Sequence, residues 1–124
     1  MVSMRVCVFE TNSSSTHALL LCNDETYQKL VNEEMFIDYE DQEFITLKEF
    51  IEEIRRSYEA GRAYPQDARP IDELESASVK ELTDISEFMY LHIVPLSKFY
   101  GAEGEYYVSE TEVVHAFSLE WEDY

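Results

Sequence analysis

Thr46 followed by Glu49, and Ser78 followed by Glu81, are one phrase written twice. In each, a hydroxyl is placed to accept the N–H three residues on. The glutamate is placed to accept the hydroxyl residue's own N–H. Behind Thr46, the residues Leu47, Phe50, Ile51, Ile54 and Tyr58 recur at helical spacing. Gly61 stands where a helix ends in left-handed backbone. Behind Ser78, the residues Val79, Leu82, Ile85 and Met89 repeat the pattern. The spacing predicts one helix ending before Gly61 and another over 79–89.

Strand signals flank these helices. Val6 and Val8 alternate with Cys7 and Phe9 over 4–10, a period of two. The polar run 11–16 reads as a loop, and 17–22 as a second strand completing a hairpin. Asn23 or Asp24 can cap a helix over 25–34, with Tyr27, Leu30 and Val31 on one face. A short strand is expected at 35–39. The stretch 62–77 contains Pro65 and Pro70 and reads as a long surface loop. A strand over 90–94 stops at Pro95, and 101–104 carries turn chemistry. A terminal hairpin follows from 105–109 and 112–121, with Val113, His115, Phe117, Leu119 and Trp121 on one face. The expected fold is α+β, a single domain over 1–124 with about five short, mostly antiparallel strands and two or three helices.

Charge divides that domain. The chain holds 27 acidic and 9 basic residues, a net charge of -18 on 124 residues. Residues 1–23 contain only Arg5 and Glu10, so a neutral hairpin (4–22) precedes an acidic body (23–124). Such a charge opposes compaction and sets partner choice and association rate. Apolar residues make up 45% of the chain and aromatics 14%, enough for a core and too much for an acidic disordered tail. Direct binding to nucleic acid or to an anionic membrane surface is disfavoured by the sign of the field.

No stretch approaches the roughly 18 apolar residues of a membrane span. The N-terminus does not read as a signal peptide. Cys7 and Cys22 read as buried cytosolic thiols, and the expected location is the cytoplasm of a bacterial host.

Chemical motifs are sparse. The acids Asp38, Glu40, Asp41 and Glu43 offer oxygens, but lack the glycine and the twelve-residue register of a calcium loop. They read as solvated carboxylates, with no metal expected. Three glycines are too few and too scattered for a phosphate-binding loop, so no cofactor is expected. Ser13, Ser14, Ser15 and His17 with Asp24 could form a nucleophile, base and orienter, yet no Gly-x-Ser-x-Gly elbow holds them. No catalytic residue is assigned. On the first capped helix, Lys48 with Glu52 and Glu52 with Arg56 read as surface pairs. His92 and His115 lie in apolar runs and read as core or half-buried.

The acidic surface carries the functional expectation. B-DNA places one charge per about 1.7 Å of axis, so the net charge matches about 30 Å of duplex. A compact chain of this length is about 35 Å across. A basic nucleic-acid groove would attract it by the same electrostatics. The carboxylates expected to meet such a groove are Asp38, Glu40, Asp41, Glu43, Glu49, Glu53, Asp72, Glu73 and Glu75. Tyr39 and Tyr64 are the expected aromatic anchors.

The run Phe9-Glu10-Thr11-Asn12-Ser13-Ser14-Ser15-Thr16-His17-Ala18-Leu19 resembles an N-terminal segment of uncharacterised bacteriophage and mobile-element proteins. Ala18 replaces the commoner serine. The resemblance covers about the first twenty residues, transfers no catalytic role, and implies a phage or prophage origin. By class analogy the chain is similar in size and charge to anti-restriction and anti-CRISPR inhibitors. The expectation is a non-catalytic, phage-encoded nucleic-acid mimic that occupies the basic groove of a host defence nuclease, most plausibly a CRISPR effector. Two alternatives stand beside it. One is a protein-binding adaptor or inhibitor with an apolar interface or an assembly block. The other is a small hydrolase using His17 and a nearby serine.

Overall fold

The computed structural model describes residues 4–9 and 15–122, with side chains from Leu19 to Leu119. Its first hairpin pairs β1 (Met4–Phe9) with β2 (Ser15–Asn23), so the second strand starts two residues earlier than expected. The helix α1 (Asp24–Val31) follows without a break. Asn23 caps it, its Oδ1 accepting from Thr26 N at 3.0 Å. The helix ends three residues before the predicted boundary.

Two short strands come next, β3 (Met35–Asp38) and β4 (Glu43–Thr46), paired antiparallel. The second was not foreseen, because its residues read as an acidic patch running into a cap. Both predicted capping boxes are present. Thr46 Oγ1 accepts from Glu49 N at 3.2 Å, and Glu49 Oε1 accepts from Thr46 N at 2.8 Å. They start α2 (Leu47–Glu59). Ser78 and Glu81 make the same reciprocal bonds at the start of α3 (Val79–Phe88).

The stretch between those helices is not a free loop. It forms a 3-10 segment over Ile71–Ser76, and Leu74 within it is fully buried. Two-residue β5 (Ile93–Val94) is all that forms of the strand expected at 90–94. The predicted turn at 101–104 is instead the start of β6 (Ala102–Tyr107), which pairs with β7 (Val113–Glu122).

Among the described residues, seven strands make two antiparallel sheets. One has the order β1-β2-β7-β6 and the other β4-β3-β5. The pairing of β2 with β7 joins the two ends of the chain, with Leu20 opposite Phe117 and Cys22 opposite His115. β3 lies between two cores and is buried on both faces. Phe36 packs with Phe50, Ile54, Leu82, Ile85 and Ile93. Ile37 on its other face packs with Leu20, Leu30, Phe117 and Leu119. Alternation along a strand thus serves two clusters at once.

The helices α1, α2 and α3 end alike. The N–H groups of Glu34, Arg62 and Leu91 return to the carbonyls of Lys29, Ser57 and Ser86 at 2.8, 3.1 and 3.0 Å. Each return bond needs left-handed backbone one residue earlier. Those residues are Glu33 (φ 60°), Gly61 (φ 97°) and Tyr90 (φ 57°). Only Gly61 takes that conformation without steric cost, which for other residues is about 1–2 kcal/mol. Among the described residues, no helix is long and apolar enough to cross a membrane.

Candidate partner-binding surface

The β3–β4 turn builds the first acidic cluster. Asp38 is 4% exposed, and its Oδ1 accepts from Glu40 N at 3.0 Å and Asp41 N at 3.1 Å. Burial pushes its carboxyl up to about 7. The two backbone bonds oppose that shift, and the charges of Asp41 and Glu43 reinforce it. Asp38 is therefore a turn-forming group inside the body, which corrects the expectation of a surface carboxylate. Asp38, Asp41 and Glu43 each bring an oxygen within 4.8 Å of the others. Oxygens so placed could hold a hard cation in principle. The buried one is already committed to two N–H groups, and the cluster is assigned no metal.

Tyr39 is corrected in the same way. It is 6% exposed, its hydroxyl accepts the Tyr100 N–H at 3.2 Å, and its ring stacks on Tyr100 at 4.6 Å. Burial raises its hydroxyl pKa. Tyr64 is half-buried against the core, donates its hydroxyl proton to Arg69 O, and meets Tyr58 edge-on at 5.6 Å. Both tyrosines anchor the fold.

Two acids expected to be free are paired. Glu53 takes Arg56 Nη1 at 2.6 Å, in place of the expected pairing of that arginine with Glu52. Glu75 pairs with Arg55, whose Nε also donates to Ile71 O at 3.2 Å, tying α2 to the 3-10 segment. Glu49 is exposed, with its carboxylate used in the capping box. Glu40, Asp41, Glu43, Asp72 and Glu73 are all exposed. Of these, Glu40, Glu43, Asp72 and Glu73 have no ion pair among the described residues.

The β6–β7 hairpin is a second acidic surface that the expectations left out. Glu103, Glu105, Glu110 and Glu112 are exposed, and Tyr106, Tyr107 and Val108 between them are 60%, 75% and 62% exposed. Glutamates at 103, 105, 110 and 112 on either side of the Tyr106-Tyr107-Val108 run were the signal in the sequence.

Beneath this hairpin lies the one buried histidine among the described residues. His115 is 3% exposed, with Nε2 3.0 Å from Asp24 Oδ1 and Nδ1 4.0 Å from Glu105 Oε1. Tyr27 stacks on it at 3.9 Å. His92 departs from expectation and is exposed. Cys22 is a free thiol pushed up to about 12, first by burial and then by Asp24. A thiol so shifted is not a nucleophile near neutral pH. Ser13 and Ser14 lie outside the described residues, as do the side chains of Cys7, Ser15 and His17.

No protein-family model, curated protein or solved structure matches the chain, so its chemistry is read from its own residues.

Proposed function

We propose that this chain is a non-catalytic inhibitor that competes with nucleic acid for the basic groove of a host defence nuclease. CRISPR effectors are the target class favoured by its charge and by the phage-like N-terminal segment. One observation carries the proposal: exposed carboxylates at Glu40, Glu43, Asp72 and Glu73 make no ion pair among the described residues. Unpaired surface carboxylates keep their full field for a partner. Paired with groove arginines and lysines, they would make charge-assisted bonds. Association driven this way is fast and falls steeply with salt.

The test is competition. Purified CRISPR effector complexes are mixed with target DNA and the protein, and DNA occupancy is measured across a salt series. Occupancy should fall with added protein at low salt and recover at high salt. Lysine substitutions at Glu40 and Glu43, or at Asp72 and Glu73, should weaken inhibition tenfold or more, about 1.4 kcal/mol. Unchanged inhibition after reversing both pairs would sink the mimic.

A second reading rests on Tyr106, Tyr107 and Val108, an exposed apolar strip. It makes the chain an adaptor bound through that strip, and it calls for binding that survives high salt.

A further inference from the structure

The end of α3 calls for glycine, and the chain places Tyr90 there, a residue 75% exposed. Two residues on, exposed His92 repeats the left-handed conformation at φ 59°. The segment is held from several sides. Leu91 is buried in the core, His92 O accepts from Tyr39 N at 3.0 Å, and Arg62 Nη1 donates to Met89 O at 2.8 Å. Non-glycine backbone forced into this region clusters at ligand clamps and switch regions. A residue three quarters exposed contributes little packing to justify the strain.

Tyr90 and His92 line one cleft of about 450 Å³. Tyr100 also lines it, 67% exposed, with its ring stacked on buried Tyr39 at 11° from parallel. The Tyr100 N–H bond to the Tyr39 hydroxyl fixes the backbone beneath it. Two exposed tyrosines are thus held at one cleft, Tyr90 by the backbone bonds around it and Tyr100 by its own N–H and the Tyr39 ring. Glu87 and Lys98 add one charge of each sign.

Those two charges offset one another inside the cleft. The field of a body carrying a net charge of -18 then selects a cation. Tyrosine faces select a flat one. Guanidinium is flat, stacks on aromatic rings and holds its charge at every accessible pH, whereas ammonium is a compact, strongly hydrated point. We infer that this cleft receives an arginine side chain of the basic partner, stacked on Tyr90 and Tyr100 with the Glu87 carboxylate as acceptor. The source of that arginine rests on the proposed function; the preference of the cleft for arginine over lysine does not.

Hexa-arginine and hexa-lysine peptides titrated into the isotope-labelled full chain, at about 0.15 M salt, separate the two ideas by NMR. Arginine should bind about tenfold tighter and shift the amides of Glu87, Tyr90, His92 and Tyr100. Tyr90→Gly keeps the helix end and should erase that advantage, as should Tyr100→Ala. Equal affinities, with shifts confined to 38–43 and 71–76, would overturn the cleft and leave the basic partner standing. An arginine preference at the cleft, alongside inhibition untouched by charge reversal, would retain the cleft and remove the mimic. Binding of adenosine monophosphate at these amides in place of the arginine peptide would make it an anion site and overturn the inference.

Discussion

His115 Nε2 lies 3.0 Å from Asp24 Oδ1, which ties the first turn of α1 to the last strand across most of the chain. Tyr27, one helical turn along, lies over the same imidazole at 5° from parallel. The ring therefore works by stacking and by one bond to a carboxylate that is itself 63% exposed. Removing the ring leaves a cavity, while replacing it by another ring loses only the bond. His115→Ala should cost about 2–4 kcal/mol and His115→Phe about 1 kcal/mol, read from urea denaturation midpoints. Equal costs would mean that stacking on Tyr27 is not what His115 supplies.

Asp38 sets a pH dependence with a definite sign. Its carboxyl is raised to about 7 in the fold, chiefly by burial, from 3.8 in an open chain. Above pH 7 it is ionised in both states, and the fold bears the cost of the buried charge. As pH falls from 7 towards 4, the folded state takes up a proton that the unfolded state does not, so stability rises. Asp38→Asn keeps an oxygen to accept from the Glu40 and Asp41 amides. It should stabilise the protein at pH 8 by roughly 2–4 kcal/mol and leave stability at pH 4 nearly unchanged. Chemical denaturation of both proteins at the two pH values measures this. A gain of the same size at pH 4 would show that the carboxyl is not titrating in this window.

What could be read from the sequence was local. A capping box lies within four residues, so both helix starts were visible at Thr46 and Ser78. The pairing of β2 with β7 depends on residues nearly the whole chain apart, and no local pattern announces it. The 62–77 stretch read as a loop because of its prolines, while its apolar residues Ile71 and Leu74 carried the sign that it docks on the core. Surface acids were legible from composition. The burial of Asp38 and Tyr39 was not, because it follows from β3 being covered on both faces.

The three helix ends form a controlled comparison. Gly61 has nothing within 4 Å of where a Cβ would stand, so Gly61→Ala tests backbone strain alone. It should cost about 1 kcal/mol. Glu33→Gly and Tyr90→Gly make the opposite change at exposed sites and should each gain about 0.5–1 kcal/mol. Calorimetry should place the last two variants a few degrees above the parent and Gly61→Ala a few degrees below. A Tyr90→Gly variant that melts lower would mean that the tyrosine packs, and is not held there at a cost to folding.

Gly101 and Gly104 read alike as turn glycines, yet the structure uses them differently. A Cβ on Gly101 would stand 2.1 Å from Ser118 O and 2.5 Å from the Phe99 ring. The approach to a backbone carbonyl of β7 cannot be relieved by rotating a side chain. Gly104 sits inside β6, where a Cβ would meet only the Tyr106 ring at 3.8 Å, an ordinary contact. Gly101→Ala should therefore cost about 1–3 kcal/mol. Gly104→Ala should be neutral or gain up to about 1 kcal/mol by removing the freedom of glycine in a strand. Hydrogen exchange locates the effect. Gly101→Ala should speed exchange at the β7 amides near Ser118, where the sheet must yield, and Gly104→Ala should leave those amides protected. Unchanged protection near Ser118 in Gly101→Ala would mean that β6 does not enter the sheet at that residue.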